Sequence, residues 1–93
     1  MKKKILLVDD KATIGKVASI YLGKDYDVMY LENPIKAIDW LNEGNVPDLI
    51  ISDIRMPGPS GLDLLARIKT LLPDLPVIIM TAYSDLESAV AAF

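Results

Sequence analysis

Cysteine and histidine are both absent from this 93-residue chain. Without cysteine there is no disulfide framework, no thiolate metal site and no thiol nucleophile. Without histidine, histidine-containing catalytic triads, haem ligation and most transition-metal sites are excluded. An excess of basic charge is lacking too. Ten lysines and arginines against thirteen acids leave a formal net charge of −3, which argues against nucleic-acid binding by this segment. Nor is there a long apolar run. Met1-Lys2-Lys3-Lys4 followed by Ile5-Leu6-Leu7-Val8 resembles the start of a signal peptide, but the run stops at Asp9-Asp10. That is far short of a signal h-region or a membrane span, so a cytoplasmic location is expected, with no membrane partner.

What is present is a globular balance. Hydrophobic residues make up 52% of the chain and charged residues 25%, which excludes intrinsic disorder. The length allows a single domain. A domain of this size buries about 60–65% of its unfolded surface, so its stability margin is thin.

Short aliphatic runs alternate with helical spacing. Ile5-Leu6-Leu7-Val8 is a strand buried on both faces. Ile14, Val17, Ala18, Tyr21 and Leu22 recur as one helix face, with Gly23 as its stop. Residues 26–31 alternate, as an edge strand does. Asn33-Pro34 opens a helix as cap and first helical residue. Ala37, Ile38 and Leu41 are its buried face, and Gly44 ends it. Leu49-Ile50-Ile51 is a central strand ending at Ser52-Asp53. Residues 54–60 form a loop, and Ser60 with Asp63 resembles a capping box before a helix whose face is Leu64, Leu65, Ile68 and Leu72. Pro73 and Pro76 bracket the turn into Val77-Ile78-Ile79-Met80. A last helix is expected from the capping box Ser84–Glu87, with Leu86, Val90 and Phe93 facing the core. The order βαβαβαβα predicts an α/β fold, a doubly wound parallel sheet with helices on both faces. The pattern stops in mid-helix at Phe93, as in a chain that is cut rather than finished.

In open parallel sheets, ligands bind beyond the carboxyl ends of the strands. Here those ends carry Asp9-Asp10, Asp53 and Thr81. Aspartates are common at solvated strand-to-helix turns, so the Asp9-Asp10 pair carries little by itself. Asp53 and Thr81 at sister strand ends change that balance. Converging carboxylates repel and raise one another's pKa. A hard divalent cation relieves the repulsion, and Mg²⁺ takes one or two carboxylates together with waters and phosphate oxygens. The cluster therefore predicts a Mg²⁺ site with room for a phosphoryl group. No G-x-x-x-x-G-K-[ST] or G-x-G-x-x-G run is present, so a bound nucleotide would have no backbone cradle. Gly58-Pro59-Ser60-Gly61 is a loop and helix start.

Three segments, Ile5-Leu6-Leu7-Val8-Asp9-Asp10, Asp53-Ile54-Arg55-Met56-Pro57-Gly58 with Gly61, and Met80-Thr81-Ala82, resemble the receiver domain of bacterial two-component response regulators. The resemblance covers nearly the whole chain. Asp-Ile-Arg-Met-Pro-Gly and Met-Thr-Ala-Tyr-Ser-Asp-Leu are further similar to receivers of the nitrogen-regulation type, which commonly precede an ATPase and a DNA-binding domain. The resemblance implies a flavodoxin-like sheet of order 2-1-3-4 and makes residues 1–93 one incomplete receiver domain, with strand five and helix five missing. It implies Asp53 as phosphoacceptor from a sensor histidine kinase. Asp10, Asp53 and the backbone carbonyl of Arg55 would ligate Mg²⁺, Asp9 would act through coordinated water, and Thr81 would hydrogen-bond a phosphoryl oxygen. The chain would then be no enzyme beyond self-phosphorylation and self-dephosphorylation.

The family's fifth strand bears a lysine that pairs with the phosphoryl group. Lys2, Lys3 and Lys4 sit at the wrong end of strand one to replace it. This departure keeps open an alternative function, a protein-interaction module without phosphotransfer. A Mg²⁺-dependent aspartyl phosphatase is disfavoured, because it wants a second acid two residues after the nucleophile and Arg55 stands there. Trp40 is expected as a partly exposed aromatic, Pro57 as a loop-shaping residue and Tyr83 as surface packing near a switch. With no fifth strand, Val77-Ile78-Ile79-Met80 would be an apolar sheet edge. Such edges seek partners, so a dimer or an exchanged element is expected to cover it.

Overall fold

Ile5, Leu6, Leu7 and Val8 are each at most 3% exposed. A strand with no polar alternation can be buried this way only in the middle of a sheet covered on both faces. The computed structural model describes residues 2–53 and 61–80. Its elements are β1 (Lys3–Val8), α1 (Ala12–Leu22), β2 (Tyr26–Leu31), α2 (Pro34–Asn42), β3 (Leu49–Asp53), α3 (Gly61–Leu71) and β4 (Val77–Met80). The four strands are parallel, in the order β2-β1-β3-β4. This is the expected doubly wound sheet. The loop over residues 54–60, the capping residue Ser60 and the last helix expected around Leu86, Val90 and Phe93 lie outside the described residues.

Register decides which side chains meet. Leu6 pairs with Ile50 and Val8 with Ser52, so these four share one face. There they meet Ala37 and Leu41 of α2, Leu64 and Ile68 of α3, and Leu75. Burying each large aliphatic side chain in this cluster contributes about 1.5–3 kcal/mol. Trp40 is half-buried against its rim, as expected for an aromatic off the main apolar face. Asn33 caps α2 through its side chain, which accepts a 2.9 Å bond from the Lys36 N–H, with Pro34 in the first turn. After α2 the chain turns at Gly44, whose φ of 95° lies in the left-handed region that glycine adopts without strain.

The far end of β1 is tied to β3 by a two-way clamp. The Asp48 N–H donates to the Lys4 carbonyl at 2.7 Å, and the Lys4 N–H donates to Asp48 Oδ2 at 2.7 Å. Asp48 thus closes the ladder with its side chain one residue before β3 begins.

Of the helix face Ile14, Val17, Ala18, Tyr21 and Leu22, Ala18 and Leu22 are half-buried, whereas Ile14, Val17 and Tyr21 are 41%, 48% and 69% exposed. Gly15 is buried and Ser19 half-buried. The Tyr30 ring on β2 lies against Gly15 so closely that a Cβ there would be 2.5 Å from two ring carbons. Gly23 does end α1, with its N–H donating to the Ser19 carbonyl, although its φ of −63° is right-handed rather than the left-handed cap that glycine often supplies.

Candidate cation and phosphoryl site

Val8 lies opposite Ser52 in the ladder, so the next residues, Asp9 and Asp53, leave the sheet side by side. Period-two alternation puts both on the face that carries Ile5, Leu7 and Ile51. Asp9 is 3% exposed and Asp53 8%, while Asp10 is exposed at the mouth of the cluster. One carboxylate oxygen from each of Asp9, Asp10 and Asp53 lies within 4.8 Å of the others. Oxygens on one octahedral shell about 2.1 Å from an ion are separated by about 3–4 Å. A small inward movement of three hard oxygen donors therefore suits a hard divalent cation. Of the expected site residues, the structure brings these three together. Thr81 and Arg55 lie outside the described residues, as do Pro57 and Tyr83.

Two residues at this site carry no motif in the sequence. Lys11 is the first. Its Nζ lies 3.0 Å from Asp53 Oδ2, 3.5 Å from Asp10 Oδ1 and 4.0 Å from Asp9 Oδ1. Its backbone N–H also donates to Asp9 Oδ1 at 2.8 Å. Adjacency to the acidic pair was its only signal. Tyr30 is the second, and its hydroxyl donates to the Asp9 carbonyl at 2.7 Å, holding the main chain where β1 turns into α1. Its place near the end of β2, opposite Leu7, was the available clue. By contrast Lys2 and Lys4 are at the other rim, on the Gly23 carbonyl and near Asp27, as their place at the start of β1 and just before it requires.

The electrostatics are those of a crowded acidic cleft. Burial pushes the Asp9 carboxyl above the ordinary range, and the Asp53 charge adds to this, against the pull of the Lys11 N–H. The hydrogen bond to Asp53 raises the Lys11 ammonium. Burial raises the Tyr30 phenol, with the Asp9 charge as a smaller cause. Ser52 donates its hydroxyl to the Asp53 carbonyl at 3.1 Å, which steadies the strand end.

The comparisons with known proteins agree with this geometry. The chain is 44% identical over 90 residues to the DNA-binding transcriptional regulator NtrC of Escherichia coli (strain K12), covering 96% of this chain and 19% of that relative. It therefore spans about a fifth of the length of that regulator. A response regulator receiver domain protein from Clostridium thermocellum superposes with a TM-score of 0.89 at 34% identity, over 97% of this chain and 73% of that one. A structure described as a transiently phosphorylated switch in bacterial signal transduction superposes with a TM-score of 0.83 at 43% identity, over 99% of this chain and 74% of that one. No helix among the described residues is long and apolar enough to cross a membrane. The family model for the response regulator receiver domain matches residues 5–93, and with its three acids gathered at the carboxyl end of a β2-β1-β3-β4 sheet, this chain belongs to that family.

Proposed function

We propose that this chain is the phosphoacceptor module of a nitrogen-regulation-type response regulator, with Asp53 as the acceptor. The convergence of Asp9, Asp10 and Asp53 oxygens within 4.8 Å carries the proposal. A carboxylate oxygen of Asp53 attacks phosphorus on the phosphohistidine of a sensor kinase. The new bond is O–P, the P–N bond breaks, and the imidazole leaves with the electron pair. Asp10, Asp53 and the Arg55 carbonyl would hold Mg²⁺, with Asp9 acting through water. The ion, when bound, neutralises charge on the transferred oxygens. Thr81 would accept the task of hydrogen-bonding the phosphoryl group. The output would be transcriptional, through the ATPase and DNA-binding domains that the resemblance implies, and the location cytoplasmic.

Incubation with acetyl phosphate and Mg²⁺ is expected to add one phosphoryl group by intact mass, and Asp53→Asn to abolish the adduct while the circular dichroism spectrum is kept. An adduct that persists in Asp53→Asn would move the acceptor elsewhere. Cation binding with no adduct at all would favour the alternative, a protein-interaction module without phosphotransfer.

The same proposal extends to the sheet edge. Among the described strands β4 pairs with β3 alone, and Ile78 on it is 51% exposed. An apolar edge strand is a template for another chain, and a second copy of this one is the occupant we favour. Sedimentation velocity is expected to show a concentration-dependent dimer that Ile78→Lys shifts to monomer. A monomer at every concentration would refute it.

A further inference from the structure

Lys11 occupies a position that its chemistry does not favour. It is the N-cap of α1, with φ −93° and ψ 105°, and its side chain makes no capping bond. Caps are normally Ser, Thr, Asp or Asn, whose short oxygens accept from the first helical N–H groups. A cation there also faces the positive end of the helix dipole. Both local costs fall on a residue whose ammonium reaches back over the acidic cluster, 3.0 Å from Asp53, 3.5 Å from Asp10 and 4.0 Å from Asp9. Its side chain is nevertheless 61% exposed, so the ammonium can swing into water without disturbing the fold.

We infer that Lys11 is the built-in counter-ion of the acidic site and competes with the divalent cation for Asp53 and Asp10. This rests on the proposed cation-binding role of those acids. In the cation-free protein the ammonium offsets the mutual repulsion of the three carboxylates. A divalent ion that uses the same oxygens must displace it, because a lysine ammonium has only donors and cannot join a metal's ligand shell. The main chain of Lys11 stays fixed meanwhile, since its N–H is held by Asp9 Oδ1 at 2.8 Å. Lys11 thus sets the affinity of the cation site. It raises the Mg²⁺ concentration at which the site fills, and it keeps the strand tips ordered below that concentration.

The test is calorimetric titration of the chain with Mg²⁺ alone, alongside Lys11→Met and Lys11→Arg. Lys11→Met is expected to bind about two- to fivefold more tightly than the unaltered chain, the range set by one partly exposed ion pair. Lys11→Arg, which keeps the charge, should bind no more tightly than the unaltered chain. NMR of the Lys11 side-chain methylenes should follow the same saturation curve as the Asp53 amide. Equal or weaker binding by Lys11→Met, or Lys11 resonances that stay still while Mg²⁺ binds, overturns the inference and leaves the cation site standing. Absence of Mg²⁺ binding in all three proteins overturns both.

Discussion

Gly15→Ala is expected to destabilise the fold by up to about 2 kcal/mol, against the sign that helix propensity alone predicts. Alanine in a helix interior is favoured over glycine by about 1 kcal/mol. At this position the added Cβ would meet Tyr30 ring carbons at 2.5–2.7 Å. Overpacking of this kind costs about 1–3 kcal/mol. If the ring swings away, the bond from its hydroxyl to the Asp9 carbonyl is lost, at about 0.5–1.5 kcal/mol. Overpacking outweighs the propensity gain by up to about 2 kcal/mol, whereas loss of the hydroxyl bond alone would roughly cancel it. A double-mutant cycle separates the terms. In a Tyr30→Ala background the clash is absent, so Gly15→Ala should stabilise by up to about 1 kcal/mol. Urea unfolding of the four proteins measures the coupling. If Gly15→Ala stabilises both backgrounds alike, the ring does not crowd the helix as described.

Asp9→Asn is expected to act in the opposite direction, stabilising the cation-free fold at pH 7. Folding raises the Asp9 pKa, chiefly through burial, so the native state holds that proton more tightly than the unfolded chain does. The resulting stability is fully present below the unfolded pKa and is lost as pH rises through the folded one. At neutral pH the unaltered protein therefore carries an ionised, buried Asp9 at a cost, and asparagine removes that cost while still accepting from the Lys11 N–H. The gap between the two proteins should narrow as pH falls toward the carboxylate range. Mg²⁺ should close it from the other side, because ligand binding stabilises the unaltered protein more than the variant. Thermal unfolding at pH 4 and pH 7, with and without Mg²⁺, reads both slopes. A variant less stable than the parent at pH 7 without Mg²⁺ would mean that the ionised carboxylate is held favourably.

These two expectations also mark where the sequence was legible. The unbroken run Ile5-Leu6-Leu7-Val8 pointed to a central strand, and the alternation of residues 26–31 to an edge. Asn33-Pro34 fixed the start of α2 because cap chemistry is local. Placing Asp9, Asp10 and Asp53 together needed only the rule that parallel strands point one way, followed by the topology. Long-range contacts were less accessible. The close contact of Gly15 with Tyr30 joins two elements, and no periodicity within the helix records it. Ile14, Val17 and Tyr21 have helical spacing, but spacing says only that they share a face, not that the face is covered. Lys11 was hidden for a related reason, since its role depends on Asp53, 42 residues away.

The clamp between Lys4 and Asp48 works at the rim opposite the acids, about five residues or 16 Å of strand from Asp53. A slip of β3 by one residue would carry Asp53 about 3.3 Å along the strand and turn it to the reverse side of the sheet. Asp48 is in that sense a ruler whose reading is taken elsewhere. Substitutions at position 48 would therefore disturb the acidic cluster although Asp48 lies just before the other end of β3.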